Sequence, residues 1–311
     1  MEKKPLLLYL DIPFCPGRCA YCAKPALEPR ADWREGYIEA LGRELRAQKD
    51  SLPDYEVKAV WVGGGIPGHM ADPQLGELLR ELPRLLPLAP DAEITLKVHP
   101  GMFSVDTLEL CRHGHVTRLS VEYVTRNSYE YESLGRFLAP DAMDTTRMVL
   151  GNSKLELSFD VLTGLPGQTD ATLLESLGAA VSYGAGHISL YPLKLLPGTA
   201  LCQRWEQEGE KLRQNQRRRL PGEGEKTAMV RRGAEFLTAH GFREYLPGRW
   251  ALPDRECRYF TLEEAHAEVL GCGLGAVTLL EGLRSENTSD LSMYLRYSNR
   301  PDKLICRVEK L

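Results

Sequence analysis

Three cysteines near the N-terminus are the residues of this sequence that most clearly indicate chemistry. Cys15, Cys19 and Cys22 lie in "LLLYLDIPFCPGRCAYC" with the spacing C-x3-C-x2-C. Three thiolates on one loop are one ligand short of a structural zinc site, which uses four. They can instead hold a [4Fe–4S] cluster at three irons and leave the fourth iron open to another ligand. The alternatives are a zinc site completed from elsewhere in the chain and a chance grouping of cysteines.

The remaining cysteines are widely and irregularly spaced, which favours buried structural thiols over a second cluster. They are Cys111, Cys202, Cys257, Cys272 and Cys306. Cys272 stands out because it lies in the glycine-rich stretch "GCGLGA", which could face the open end of the fold. The basic run Arg217–Arg219 could contact a carboxylate or phosphate, but such runs are more often solvated linkers or helix ends.

The composition is that of an ordinary globular protein. The chain has 311 residues, of which 43% are hydrophobic and 26% are charged, and its formal net charge is -4. This mildly acidic balance gives no reason to expect nucleic acid or an anionic membrane as a partner. The N-terminus lacks a signal-peptide pattern, and no stretch approaches the ~18 apolar residues of a membrane span. We therefore expect a cytoplasmic protein with reduced cysteines.

Short apolar runs predict six strands that alternate with helices. The expected strands are Leu6–Leu10, Val57–Val62, Glu93–Val98, Val116–Val121, Leu155–Val161 and His187–Tyr191. The expected helices are one from an N-cap at Asp32, then Pro73–Leu86, Val105–His113, Pro140–Leu150 and Ala171–Tyr183. This alternation predicts a parallel α/β sheet, because parallel strands need a helical crossover. Six βα units are too few for a closed eight-fold barrel, so an open sheet or a partial barrel fits.

The pattern changes near residue 200, where we place the main boundary. The stretch "LKLLPGTAL" predicts a loop, and the polar segment Glu210–Glu225 predicts a linker. A helix over Lys226–His240 and a short mixed segment to Leu311 complete the chain. The predicted division is therefore residues 1–200 and residues 201–311.

The cysteine motif, with Tyr21 just before its third cysteine, resembles that of the radical S-adenosylmethionine (SAM) superfamily. "YLDIPFC" is similar to Y-x-H-I-P-F-C of the oxygen-independent coproporphyrinogen III oxidase-like family, which includes radical SAM haem chaperones. Other segments resemble family motifs in the family's order over most of Tyr9–Thr278: "WVGGGIPG" (F-x-G-G-G-T-P), "ITLKVHPG" (E-x-N-P-G), "RLSVEYVT" (S-x-G-x-Q-S), "LGRFLAP" (L-G-R-x-H), "SFDVLTGLPGQT" (D-L-I-x-G-L-P-x-Q-T), "HISLYPLKLLPGT" and "GCGLGAVT" (G-x-G-x-G-A-x-S).

This resemblance implies a partial (β/α)6 barrel in residues 1–200, with a small C-terminal α+β extension, residues 201–311, that covers the barrel mouth. It implies a [4Fe–4S] cluster and SAM as cofactors, with SAM on the open iron. One electron, from a donor such as flavodoxin or ferredoxin, splits SAM to methionine and a 5′-deoxyadenosyl radical that abstracts hydrogen from a small-molecule substrate. The substrate itself is not identified by the motifs.

The resemblance also implies roles for individual residues. The three cysteines are the cluster ligands. The implied SAM contacts are Tyr9, Tyr21, Gly63, Gly64, Gly65, Arg136 and Asp160, together with the backbone of Lys194. An arginine suits the methionine carboxylate of SAM and a carboxylate suits its ribose hydroxyls. Glu122, at the carboxyl end of a predicted strand, is a candidate for acting on the substrate, and Tyr9 is the second catalytic candidate.

Departures from the family motifs keep the substrate open. Asp11 replaces a histidine, Lys97 replaces the glutamate of E-x-N-P, and Val124 replaces a glutamine. The region after Cys257 lacks the H-N…Y-W motif. These changes argue against two-SAM coproporphyrinogen decarboxylation and against haem carriage through that histidine. A divergent oxidase-like enzyme, a methyltransferase or cyclopropane-forming enzyme with a second SAM, and a haem chaperone remain the alternatives.

Overall fold

Six parallel strands form the centre of the fold, as the sequence predicts. The structure is a computed structural model that describes residues 3–24, 26–70, 73–136, 139, 141–151, 153–214 and 219–311. The strands lie side by side in chain order: β1 (Lys4–Ile12), β2 (Tyr55–Gly64), β3 (Leu88–Val98), β4 (Arg118–Val124), β5 (Glu156–Thr163) and β6 (His187–Pro192). The predicted α/β class and open parallel arrangement are confirmed, because the sheet does not close.

Helices connect these strands, and most agree with the prediction. They are α1 (Ala31–Gln48), α2 (Pro67–Met70), α3 (Pro73–Leu85), α4 (Val105–His113), α5 (Ser128–Ser133), α6 (Ala142–Leu150) and α7 (Asp170–Ser182). The expected N-cap at Asp32 is wrong, since Arg30 occupies that position and Asp32 lies in the first turn, where a carboxylate favours the helix dipole. The short polar α5 has no apolar period that could have predicted it. Pro140, the expected start of α6, lies outside the described residues.

The second part of the chain adds strands at both edges of the same sheet. Its elements are α8 (Ala200–Gln214), α9 (Glu223–Ala239), β7 (Arg243–Leu246), β8 (Arg249–Ala251), α10 (Arg258–Glu264), β9 (Glu268–Gly273), β10 (Val277–Leu280), β11 (Leu283–Asn287), α11 (Leu291–Tyr297), α12 (Pro301–Leu304) and β12 (Ile305–Lys310). β9 runs parallel to β1, and β8 runs antiparallel to β6. The division at residue 200 stays a prediction.

The loop predicted over "LKLLPGTAL" is present up to Thr199, but helix α8 replaces its last two residues and the first part of the predicted polar linker. The helix begins inside "LKLLPGTAL" and continues into the segment from Glu210. Leu201 and Trp205 of α8 pack with Leu134 and Leu165 in a small apolar cluster. Tertiary contact with this cluster therefore favours a helix that the polar sequence alone does not indicate.

The two faces of the central strands differ in chemistry because side chains alternate along each strand. One face is apolar and packs against the helices; it includes Leu8, Leu10, Val60, Leu96 and Phe159. The other, which we call the inner face, carries polar side chains near the carboxyl ends of the strands, including Asp11, Lys97, Ser120, Glu122 and Asp160. The inner face therefore provides polar groups for a binding site, whereas the apolar face forms the core.

A buried arginine fastens the segment before α10 to the inner face. Arg118 is 3% exposed; its Nε donates to Glu93 Oε2 at 3.0 Å, and its Nη2 donates to the Glu256 carbonyl at 2.9 Å. Glu93 Oε1 in turn accepts from the backbone N–H of Arg258 at 3.1 Å. Since the next residues begin α10, this network determines where α10 lies against β1 and β2.

We predict that Arg118→Met destabilises the protein by about 3–5 kcal/mol, because Glu93 then stays buried without its cation. Urea unfolding followed by circular dichroism measures the change. The matched control is Arg112→Met, which removes an exposed arginine paired with Glu109 and should leave the midpoint nearly unchanged. Equal midpoints for the two variants would contradict the structural role of Arg118.

A second buried group joins α1 to the C-terminal strands. Glu44 accepts hydrogen bonds from Tyr294 Oη at 2.6 Å, from Asn287 Nδ2 at 2.7 Å and from the Gly273 backbone N–H at 2.9 Å. Nearby, Tyr37 Oη donates to the Asp11 carbonyl at 2.7 Å. Burial raises the pKa of Glu44 to about 7, and its hydrogen bonds only partly offset that increase.

Because the folded pKa of Glu44 exceeds its unfolded value, this residue contributes stability that is complete below about pH 4.5 and is lost as the pH rises through about 7. Between pH 5 and pH 8 we expect wild type to lose about 2–3 kcal/mol relative to Glu44→Gln, which cannot titrate. Parallel denaturant titrations across this range measure the difference. A constant difference would show that Glu44 is already ionised in the folded chain at low pH.

Candidate functional site

The cysteine loop after β1 is attached to the rest of the protein by backbone hydrogen bonds. Cys15 N–H donates to the Leu27 carbonyl at 3.0 Å, which closes the loop on itself. Ala20 N–H donates to the Leu134 carbonyl at 2.8 Å, and the Ala20 carbonyl accepts from Leu201 N–H at 2.7 Å. The loop is thereby held between the end of α5 and the start of α8.

The three thiols fit a cluster in number and in their partial exposure. Burial raises the pKa of Cys15, and raises that of Cys19 to about 11, so binding as thiolates requires proton release. Among the residues described, no three His, Cys, Asp or Glu side chains are close enough to hold one metal ion. A [4Fe–4S] cluster does not need such a group, because each thiolate binds a different iron.

The glycines at the end of β2 allow the chain to pass close to the cysteine loop. Gly64 has a φ of +97°, and a Cβ there would lie 2.2 Å from Asp11 Oδ1. A Cβ on Gly65 would lie 2.2 Å from the Phe14 carbonyl oxygen, and one on Gly63 would lie 2.8 Å from the Trp61 ring nitrogen. Packing within the chain therefore explains these glycines, and their predicted contact with SAM stays a prediction.

A buried carboxylate between two cations lies at the carboxyl ends of β3 and β4. Glu122 contacts Lys97 Nζ at 3.3 Å through Oε1 and Arg136 Nη2 at 3.1 Å through Oε2. Arg136 Nη1 also donates to Tyr21 Oη at 3.3 Å. Burial alone would raise the pKa of Glu122, but Lys97 and Arg136 outweigh it and lower the pKa to about 2. Glu122 is therefore ionised, which makes it a poor proton donor near neutral pH.

A second ion pair lies at the end of β1. Lys24 Nζ donates to Tyr9 Oη at 2.7 Å and to Asp11 Oδ2 at 3.4 Å. Burial raises the pKa of Asp11, although the Lys24 charge opposes that change. The aspartate that replaces the family histidine thus has its own cationic partner.

Asp160 is the remaining predicted SAM-binding residue whose side chain lies on the inner face. Its Oδ2 accepts from Ser120 Oγ at 3.0 Å, and burial raises its pKa against the opposing charges of Lys97 and Arg249. Val124 has the unusual φ of +66° for a β-branched residue. Lys194 is exposed in the chain after β6, and its predicted backbone contact stays a prediction.

These groups meet around a cavity of about 500 Å³, a size typical of small-molecule sites. It brings together half of the twelve predicted site residues, namely Tyr9, Tyr21, Cys22, Gly64, Glu122 and Asp160. A separate cavity of about 320 Å³ is lined by Cys19 and Arg136. Two further predicted residues therefore line a second cavity, and Cys15, Gly63, Gly65 and Lys194 line neither of the two.

The cavity wall also contains residues that the sequence analysis did not select. They are Lys24, Trp61, Tyr191, Arg249, Tyr259, Phe260 and Glu263, besides Lys97, which was noted only as a departure. Tyr259 and Phe260 lie in α10, directly after Cys257, where the family motif H-N…Y-W is missing. The missing motif was the one feature of the sequence that pointed to this part of the cavity wall.

The other cysteine and arginine candidates lie elsewhere. Cys272 is fully buried in the main core with Leu10 and Tyr294, so it does not line the cavity. Cys306 is exposed, and Cys111, Cys202 and Cys257 are buried. Of the basic run, only Arg219 is among the described residues, and it pairs with Glu225 at 2.6 Å on the surface.

Across the described ranges, no helix combines the length and apolarity needed to cross a membrane.

Comparison with known proteins agrees with this geometry. A family model described as the radical SAM superfamily matches residues 9–180. The chain is 30% identical over 287 residues to the Heme chaperone HemW of Synechocystis sp., covering 90% of this chain and 67% of that protein. It is 28% identical over 292 residues to the Anaerobilin synthase of Escherichia coli O157:H7, covering 93% and 64%.

A solved structure has a similar fold. The coproporphyrinogen III oxidase (HemN) of Escherichia coli, described as a radical SAM enzyme, superposes with a TM-score of 0.79 at 21% identity, covering 100% of this chain and 73% of that one. This chain is therefore a radical SAM protein with [4Fe–4S] and SAM as its cofactors. Within the superfamily it belongs to the oxygen-independent coproporphyrinogen III oxidase-like family.

We predict that Lys97 and Glu122 are energetically coupled. In a double-mutant cycle of Lys97→Met and Glu122→Gln, the coupling should be about 1–3 kcal/mol. Glu122→Gln leaves Lys97 without its ion-pair partner, and Lys97→Met leaves Glu122 with Arg136 alone. Urea unfolding of the four proteins measures it. The control cycle uses the exposed pair Arg231 and Glu235, which should show no measurable coupling. Additive effects of Lys97 and Glu122 would contradict the prediction.

Proposed function

We propose that the protein cleaves SAM reductively and uses the resulting radical on a small-molecule substrate. The observation that carries this proposal is the position of the three-cysteine loop at the edge of a cavity that also contains Tyr9, Glu122 and Asp160. Held by Cys15, Cys19 and Cys22, a [4Fe–4S] cluster would pass one electron from an external donor to SAM, which would split SAM into methionine and a 5′-deoxyadenosyl radical. The protein supplies the binding groups and the shielding.

The binding groups differ in what they can offer to SAM. Asp160 has one neutral hydrogen-bond donor, Ser120, and retains acceptor capacity suited to ribose hydroxyls. Arg136 can pair with the methionine carboxylate, since a guanidinium has five N–H donors and only some are used by Glu122 and Tyr21. Tyr9 is kept protonated near neutral pH, because burial raises its pKa, and its hydroxyl can still donate toward the cavity.

The charges around Glu122 support a positioning role for it. The carboxylate keeps Lys97 and Arg136 in place, and its lowered pKa excludes it from general acid catalysis near neutral pH. A direct contact between ionised Glu122 and a positively charged group of the substrate or of SAM remains compatible with this arrangement. We therefore propose electrostatic positioning as its contribution.

The test is SAM cleavage by the anaerobically reconstituted protein with dithionite as reductant. We predict about four irons per chain and 5′-deoxyadenosine in wild type, with loss of both in Cys19→Ala. Cys306→Ala is the matched control, since this exposed cysteine is remote in the fold from the loop and should retain the cluster and the activity. Absence of 5′-deoxyadenosine from cluster-loaded wild type would overturn the proposal, and a protein that takes up only zinc would overturn the cluster assignment.

Haem binding is the second candidate because of the relatives named as haem chaperones. The cavity wall contains no histidine among the residues described. His99 and His187, the buried histidines of that part of the chain, are hydrogen-bonded to Tyr131 at 2.6 Å and to Tyr245 at 2.9 Å. Titration with haem, followed by absorbance, separates the two functions. A stoichiometric haem complex without SAM cleavage would favour the chaperone.

A further inference from the structure

Arg249 is a cation of the cavity wall that has no anionic partner within the described parts of the chain. The other cations of the cavity wall form ion pairs within 4.0 Å: Lys97 with Glu122, and Lys24 with Asp11. Arg249 forms no such pair there, and its one side-chain hydrogen bond runs from Nη1 to Ser189 Oγ at 2.7 Å. Its other four N–H groups form no hydrogen bond with the residues that the structure describes.

The guanidinium is held rigidly between aromatic rings. Its central carbon lies 3.7 Å from the centroid of the Phe260 ring and 4.4 Å from that of the Tyr191 ring. These contacts fix the orientation of the planar group before a ligand arrives, so little side-chain entropy is lost on binding. Burial lowers the pKa of Arg249, and attraction to Asp160 opposes that change. The charge is thus present but incompletely compensated.

The wall beside Arg249 is aromatic. The Trp61 and Phe260 ring centroids are 4.9 Å apart, and those of Trp61 and Tyr259 are 5.6 Å apart. Such a surface accepts a flat, apolar group by stacking and by excluding water. Glu263 lines the same cavity and Asp160 faces it, so two carboxyl groups lie on this side. Their presence disfavours a dianion and favours a ligand with a single negative charge.

We propose that Arg249 binds the carboxylate of the substrate and that Trp61, Tyr259 and Phe260 contact a flat apolar part next to that carboxylate. The paired N–H groups of a guanidinium match the two oxygens of a carboxylate. This inference rests on the proposed function, because it assumes that the cavity holds a substrate beside SAM. It adds the chemical class of that substrate.

The experiment measures binding of three probes to the reconstituted, SAM-loaded protein by titration calorimetry without reductant. The probes are 2-naphthoate, neutral 2-naphthamide and 2-naphthyl phosphate. We expect 2-naphthoate to bind about ten- to a hundredfold more tightly than the amide, as hydrogen bonds to a charged group allow. We expect the phosphate to bind less tightly than 2-naphthoate.

Variants test whether Arg249 causes this preference. Arg249→Gln should bind 2-naphthoate and 2-naphthamide equally, and Arg249→Lys should retain part of the preference because it keeps the charge. The matched control is Arg258→Gln, a nearby exposed arginine paired with Asp91, which should behave as wild type. Equal binding of the acid and the amide to wild type, or an unchanged preference in Arg249→Gln, would overturn the inference.

Two further outcomes also decide against it. Tighter binding of the phosphate would reject the carboxylate. Competition between 2-naphthoate and SAM for the reconstituted protein without SAM would assign Arg249 to the SAM site. Failure of this inference is distinguishable from failure of the proposed function, because probe binding is measured without reductant. Formation of 5′-deoxyadenosine is measured separately on the same protein.

Discussion

The carboxylate of Glu122 lies between the cations of Lys97 and Arg136, and the arrangement of the site depends on this contact. Arg136 also contacts Tyr21, so the network links the cysteine loop to β3 and β4. Two buried cations without this anion would repel each other and would carry an uncompensated desolvation penalty. The charge balance therefore keeps the loop, the strand ends and the cavity wall in one geometry.

The charged departures from the family motifs have partners in the structure. Lys97, at a family glutamate position, contacts Glu122, which itself replaces a small residue. Asp11, at a family histidine position, contacts Lys24 from the cysteine loop. Each change therefore has a partner of opposite charge within the same cavity. Such pairing preserves the local charge balance while it changes which groups a ligand meets.

The sequence predicts the centre of the fold well, because each of the six parallel strands is a short apolar run and the helices between them carry regular patterns. It fails at α8, whose few apolar residues become a helix through contacts with Leu134 and Leu165. It also fails at the C-terminal strands, which belong to the same sheet as β1. Strand pairing over such distances has no signature in local periodicity.

The sequence predicts the site residues that belong to family motifs. It does not predict those whose role depends on a contact with another residue that is distant in the sequence. The cysteines, Tyr9 and Asp160 belong to recognisable sequence motifs, and the cavity brings Tyr9, Cys22 and Asp160 together. The Lys97–Glu122 contact was not predictable, since Lys97 was noted only as a departure from a motif and Glu122 only as a candidate for acting on the substrate. Arg249 and Phe260 reach the same cavity from a segment that is distant in sequence. Pairing of β8 with β6 positions Arg249, and the network around Arg118 positions α10 with Phe260.

The position of β1 in the sheet has a consequence for the order of folding. β1 precedes β2–β12 in the chain, yet one of its neighbours is β9, which ends at Gly273. The bond from Gly273 to Glu44 joins residues 229 positions apart, and the bond from Arg258 to Glu93 joins residues 165 apart. Contacts of such high sequence separation slow folding. During translation β1 therefore has an open edge until residue 273 has been made, and this edge is available to wrong partners during that time.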